Sequence, residues 1–217
     1  MAITMTKFKE PVLKKPEPKR LAIYGEAMSG KTTFAGKADK PFFLSFDNNA
    51  LDAGYNGAKP ESYDDVITII ESAGKYGYNT IVLDTVEDML DTLTDEITNK
   101  NNVESLDDVP GQFKPGYAEL NKKFNSIIHK LSQSDLKVYY LMRAQQTETG
   151  LWPVLKEKRF SVVSGYADGL IEISSDHKAK WVKKRYQWDE KDLTTEPLSE
   201  IIDPEKQRNE KLKELGL

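Results

Sequence analysis

The stretch Gly25-Glu26-Ala27-Met28-Ser29-Gly30-Lys31-Thr32 fits the pattern G-x-x-x-x-G-K-[ST] without a mismatch. It follows the apolar run Leu21-Ala22-Ile23-Tyr24 and precedes Thr33-Phe34-Ala35, which supplies the strand, loop and helix that the pattern needs as context. Gly25 and Gly30 permit backbone angles closed to other residues, so the N–H groups of the intervening Glu26, Ala27, Met28 and Ser29 can close around phosphate oxygens. Lys31 then reaches the outer phosphates and the Thr32 hydroxyl ligates magnesium. Thr33 lies in the first turn of a helix whose positive dipole end favours the anion. The bland alternative is a glycine turn before an ordinary helix, and the flanking apolar strand argues against it.

The chain has 217 residues, no cysteine and only two histidines, His129 and His177. A chain of this length buries about 70% of its unfolded surface as one domain. Without cysteine there is neither a disulfide framework nor a thiolate metal site, which points to an intracellular, cytoplasmic setting. No apolar run approaches transmembrane length, and the first residues lack a secretory pattern, so no membrane association is expected. A net charge of −4 argues against coating nucleic acid by bulk charge and leaves a local basic groove open.

Residues 1–20 read as a basic leader broken by Pro11, Pro16 and Pro18, either solvated or an arm that touches a neighbouring subunit or nucleic-acid phosphate. From Leu21 the chain alternates. A helix is expected from Lys31 to about Ala38, a strand at Phe42-Phe43-Leu44-Ser45-Phe46, and a helix capped by Ser62 carrying Val66, Ile67, Ile69, Ile70 and Ala73. Thr80-Ile81-Val82-Leu83-Asp84-Thr85 is a strand buried on both faces, followed by a helix from about Val86 to Ile97. The polar segment Asn99 to Gly116 reads as a mobile loop. Leu120, Phe124, Ile127, Ile128 and Leu131 mark the next helix and Val138-Tyr139-Tyr140-Leu141-Met142 the next strand. Beyond Thr147 no period is clear. Leu170 to Ser174 and Lys180 to Trp188 then suit an antiparallel edge hairpin. The chain therefore divides into a leader (1–20), an α/β core (21–190) with a mostly parallel sheet and helices on both faces, and a charged tail (191–217).

Two carboxylates end strands. Asp84 suits the acid that holds magnesium, usually through water, and equally suits a helix N-cap. Asp47 suits a base that orients and deprotonates an attacking water, and equally suits a turn in Asp47-Asn48-Asn49. Arg143, Gln145 and Gln146, at the end of a later strand, are either sensors of the outer phosphate or plain surface residues.

Taken together, the phosphate loop, Phe43-Leu44-Ser45-Phe46-Asp47 with Ala50-Leu51-Asp52 behind it, Ile81-Val82-Leu83-Asp84-Thr85 and the strand running into Arg143 to Gln146 resemble the RecA-like P-loop ATPase core. More narrowly they resemble small phage nucleotide-binding proteins of the shortened-recombinase type, associated with single-strand annealing and recombination. The resemblance implies ATP and Mg2+ as ligands, homo-oligomers, a cytoplasmic location in the host cell, and single-stranded DNA as partner. It implies Lys31, Asp47 and Gln145 as catalytic residues, although the family more often carries Glu where Asp47 stands. It maps DNA contacts onto Trp152, Lys156, Lys158, Arg159 and Phe160, and charges acting on a neighbour's nucleotide onto Lys183, Lys184 and Arg185. The rival expectations are a nucleotide-responsive protein-binding module with little hydrolysis and, last, a small-molecule phosphotransferase.

Overall fold

The computed structural model describes residues 17–186, Leu198 and residues 201–203. The leader up to residue 16, Trp188 and the tail beyond Pro204 lie outside the described residues. The strands are β1 Arg20–Gly25, β2 Pro41–Ser45, β3 Gly57–Ala58, β4 Thr80–Asp84, β5 Lys137–Thr147, β6 Gly150–Pro153, β7 Gly169–Ile173 and β8 Ala179–Lys184. The helices are α1 Lys31–Gly36, α2 Asn49–Asp52, α3 Tyr63–Ser72, α4 Val86–Asn101, α5 Pro115–Gln133 and α6 Glu157–Tyr166.

The sheet runs β3-β2-β4-β5-β1-β7-β8, with β6 paired to β5 off this path. Pairs from β3 through β7 are parallel, and β5–β6 and β7–β8 are antiparallel. Alternation along the strands divides the core. Ala22, Tyr24, Leu83, Tyr140 and Met142 pack with α3, α4, α5 and α6, while Leu21, Ile23, Phe43, Val82 and Leu141 pack with α1. Strands covered on both faces have no polar side, which explains their unbroken apolar runs. Ser62 caps α3 by accepting the Asp65 N–H at 3.1 Å, as its sequence position predicts.

Three segments differ from expectation. Helix α1 stops at Gly36, where the Tyr55 ring packs so closely that a Cβ would lie 2.3 Å from it. The segment Asn99 to Gly116 is pinned rather than mobile: α4 continues to Asn101, Leu106 and Val109 are buried, and Lys114 bonds Asp107 at 2.8 Å. Gly116 lies against the Leu106 carbonyl, where a Cβ would stand 2.5 Å from the oxygen. The stretch beyond Thr147, which shows no period, folds as β6 and α6. Helix α6 contributes only Val163 as a fully buried side chain, too little to mark a stripe.

The β7–β8 hairpin forms as expected, and half of the β8 edge is covered: the Trp181 N–H donates to Ile202 O, and the Ile202 N–H to Ala179 O, both at 2.9 Å. At the opposite end of the strands Asp168 is a junction. Its carboxylate accepts the N–H groups of Lys19 and Arg20, its own N–H donates to Arg20 O, and its carbonyl accepts from Arg185. Among the described residues no helix is long and apolar enough to cross a membrane.

Phe124 on α5 is 1% exposed at the centre of the larger core. Phe124→Ala is expected to lower unfolding stability by about 3–5 kcal/mol, read as a fall in the urea midpoint at unchanged slope.

Candidate functional site

Strand β1 delivers the chain into the loop at Gly25, and α1 receives it at Lys31. Gly30 has φ 92°, in the left-handed region, and the Phe34 N–H bonds its carbonyl at 2.8 Å to open the helix. A Cβ on Gly25 would lie 2.4 Å from Ser29 Oγ and 2.6 Å from Ile173 O, so only glycine fits there. Glu26 is half-buried, Ala27 and Met28 are exposed, and Thr33 faces solvent on α1. Ser29 Oγ is buried without a partner among the described residues. The Lys31 ammonium is folded back onto Gly25 O at 3.0 Å and Glu26 O at 2.7 Å. The Thr32 hydroxyl donates to Asp84 Oδ2 at 2.9 Å. A glycine cradle, an orphaned hydroxyl and a hydroxyl–carboxylate pair are the donor set that phosphate oxygens and a hard divalent cation require. These residues fit a magnesium nucleotide.

Strand parity decides what joins them. Val82 faces α1, so Asp84 two residues later does too, and this parity puts it under Thr32. Leu141 faces α1 and carries Arg143 and Gln145 in the same phase, whereas Met142 carries Gln146 to the other face. There Gln146 lines a cleft of about 620 Å³ with Tyr24, Glu26 and Glu172. Asp47 is exposed in the turn that follows β2. Its two oxygens accept the backbone N–H of Asn49 at 3.0 Å and the Asn49 side-chain amide at 2.5 Å, the geometry of an Asx turn.

Burial dominates the electrostatics. Desolvation pushes the Asp84 carboxyl up to about 6, against the Thr32 hydrogen bond and Lys31, with Asp47 and Asp88 adding repulsion. Desolvation lowers the Lys31 ammonium below its ordinary value, opposed by Asp84 and Glu87. Three residues that sequence reasoning passed over belong here. Glu87 and Asp88 sit in the first turn of α4, which Thr85 caps by accepting the Asp88 N–H at 3.3 Å. Glu87 Oε2 accepts the Arg143 N–H at 3.1 Å, and Asp88 takes the Arg143 guanidinium at 2.5 Å. Burial raises the Glu87 carboxyl above the usual range. Their sequence signal was the cap: Thr85 followed by acids in the first turn. His177, in the β7–β8 turn, donates from Nδ1 to Ser29 O at 3.0 Å, and nothing in the sequence marks it.

A sequence model described as the AAA domain matches residues 17–196. The chain belongs to the AAA domain family. None of the curated proteins matches it. Among solved structures it is similar to a KaiC-like protein from the hyperthermophilic archaeon Pyrococcus horikoshii OT3, at 11% identity and TM-score 0.46, covering 77% of this chain and 79% of that one. It is also similar to a type III secretion system ATPase from pathogenic bacteria, at 14% identity and TM-score 0.47. That match covers 77% of this chain and 60% of the other.

In the AAA domain described here, a cleft of about 590 Å³ continues from the loop between α1 and the β7–β8 turn, lined by Met28, Gly30, Thr33, Lys37, His177 and Ile202 among others. The remaining sequence candidates gather farther along the sheet. Trp152 on β6 and Phe160 on α6 meet edge to face with ring centroids 5.6 Å apart. Lys156 caps α6, Lys158 is exposed, and Arg159 is half-buried, its guanidinium lowered by desolvation. A cleft of about 430 Å³ joins Trp152 and Phe160 to Lys183, Lys184 and Arg185. Two of these three cations are engaged: Lys184 pairs with Asp203, and Arg185 donates to Ala167 O at 3.1 Å and Gly165 O at 2.6 Å, capping the C-terminus of α6. Among the described residues Lys183 has no partner.

The folded value of the Asp84 carboxyl is above its unfolded one. Its contribution to stability is therefore fully present below about pH 4 and lost as pH rises through about 6. In nucleotide-free protein, Asp84→Asn is expected to be more stable than wild type at pH 8 by up to about 3 kcal/mol. That advantage should vanish between pH 6 and 4 in paired urea titrations.

Proposed function

We propose that this AAA domain is a magnesium-dependent ATPase that binds single-stranded DNA and works as a homo-oligomer in recombination or strand annealing, in the host-cell cytoplasm of a phage setting. The observation that carries the ATPase half is the Thr32–Asp84 hydrogen bond beneath a glycine cradle that also holds Lys31. Lys31 exchanges its carbonyl partners for the outer phosphates, and Thr33 and the adjoining 590 Å³ cleft offer room for the nucleoside. Magnesium held by Thr32 and Asp84 supplies neutralisation of the phosphate charge. Gln145, in phase with α1, is the candidate sensor of the outer phosphate.

The DNA half is supported by β5 itself. The strand that carries Gln145 runs without a break into the hairpin that presents Trp152, 49% exposed, beside Phe160. Aromatic faces of this kind stack on bases without sequence preference, and Lys156, Lys158 and Arg159 at the start of α6 suit the phosphates. With Lys184 and Arg185 engaged within the chain, Lys183 is the candidate for acting on a neighbour's nucleotide. A second reading, a nucleotide-responsive protein-binding module with little hydrolysis, is favoured by the apolar exposure of Trp152, Val154 and Val182.

Turnover of ATP with and without a single-stranded oligonucleotide separates the two. The ATPase reading expects hydrolysis that depends on magnesium, rises with the oligonucleotide and disappears in Lys31→Ala. Trp152→Ala is expected to weaken oligonucleotide binding by about 1–3 kcal/mol, measured by anisotropy at low salt. An absence of turnover beside Lys31-dependent ATP binding selects the module, and an absence of oligonucleotide binding with ATP present removes the DNA partner.

A further inference from the structure

We propose that His177 is a positioning residue for the nucleotide: from the β7–β8 turn its imidazole holds the Ser29 carbonyl and so sets the phosphate loop for triphosphate binding. The inference deepens the ATP-binding part of the reading above and rests on it.

A carbonyl oxygen can only accept, so the 3.0 Å contact between His177 Nδ1 and Ser29 O fixes a hydrogen on Nδ1. The peptide that follows Ser29 is planar and trans, with its N–H opposite its C=O. Holding the carbonyl therefore fixes the direction of the Gly30 N–H, one of the donors that a phosphate loop turns on its anion. Ser29 is gripped on its other side too. Its side chain is 2% exposed and packs on Gly25, where a Cβ would stand 2.4 Å from Ser29 Oγ. The imidazole also lies over Gly30, where a Cβ would come within 3.2 Å of Nδ1.

The turn is built to deliver the ring. His177 has φ 62°, a left-handed conformation uncommon outside glycine, and its own N–H donates to Ser174 O at 3.0 Å. Ser174 donates its hydroxyl and its N–H to Lys178 O, at 3.0 and 3.1 Å. Ile173, just before the turn, seats its carbonyl against Gly25. The hairpin thus closes on the loop at both its glycines.

The bond gains its importance when ATP enters. Without nucleotide the Lys31 ammonium ties the loop together through Gly25 O and Glu26 O, and in the reading above it leaves both carbonyls for the phosphates. The Ser29 carbonyl is not among the atoms that Lys31 releases, so His177 keeps the loop's shape through the exchange. His177 also lines the 590 Å³ cleft beside Gly30 and Thr33, so direct contact with the nucleoside is the competing role. The two roles differ in what they recognise. A loop positioned through its backbone serves any triphosphate, whereas a ring on the nucleoside serves only a ligand that carries one.

The test compares wild type, His177→Ala and His177→Asn for binding of a fluorescent ATP analogue, displaced in turn by ATP and by inorganic tripolyphosphate with magnesium. Thermal melting is the control, and steady-state turnover is measured beside it. The asparagine amide can place a donor where Nδ1 stands. His177→Ala is expected to melt like wild type and to weaken ATP and tripolyphosphate equally, by about three- to tenfold. It is expected to raise KM by the same factor at unchanged kcat, and His177→Asn to recover most of the affinity. An alanine variant that binds both ligands like wild type, an asparagine variant no better than alanine, or a loss confined to ATP overturns the assignment while leaving ATP binding standing. Absence of turnover in a wild type that binds ATP removes the ATPase reading alone, because the binding comparison is read without it. Absence of ATP binding in wild type removes both.

Discussion

Asp84 and Lys31 are both buried, at 3% and 8% exposure, and each charge shifts the other's pKa in the direction that favours ionisation. Neither could stay charged alone: an isolated buried carboxylate or ammonium neutralises or unfolds its surroundings. What allows the pair is the convergence of β1 and β4 on one end of the sheet, with α1 starting between them and the Thr32 hydroxyl bridging to Asp84. The glycines that let the loop turn so tightly, the seating of Ile173 O against Gly25 and the His177 bond to Ser29 O all serve to hold this geometry in place. Burial lowers the Lys31 ammonium and raises the Asp84 carboxyl from their ordinary values, so desolvation outweighs the attraction between the two charges.

The period-two phase of the strands carries that constraint outward. Because a strand cannot change the face of a side chain without a slip or a bulge, the apolar residues that pack on α1 also determine which polar residues emerge beside it at the strand ends. Asp84 and Gln145 share that phase and Gln146 does not. Helix α4 then adds what the strands cannot. Its first turn folds over β5 and holds Arg143 through Glu87 and Asp88.

Much of this was legible in the residues. The phosphate loop, the buried strand ending in Asp84, the Ser62 cap and the β7–β8 hairpin each rest on local chemistry that a sequence displays directly: glycine freedom, apolar runs, capping oxygens, alternation. The failures share a cause of the opposite kind. Helix α6 packs mainly through Val163, so it has no stripe to read. The segment from Asn99 to Gly116 is polar yet pinned by Leu106, Val109 and a glycine contact set by tertiary neighbours. His177 matters only because the hairpin turn lies over Ser29, and the Asx turn that Asn49 forms with Asp47 is a contact that composition does not display.

The junction at Asp168 has a consequence for how the chain is made. Strand β1 is the first of the described elements in chain order and stands in the interior of the sheet, yet both its neighbours, β5 and β7, come from the second half of the chain. The Asp168 carboxylate that fastens its start lies 148 residues downstream of Arg20. Vectorial synthesis therefore leaves the apolar run Leu21 to Tyr24 waiting unpaired until nearly the whole domain has emerged, and the loops that must close are long. The nucleotide cradle, which hangs from the end of that strand, is completed only when the last hairpin docks.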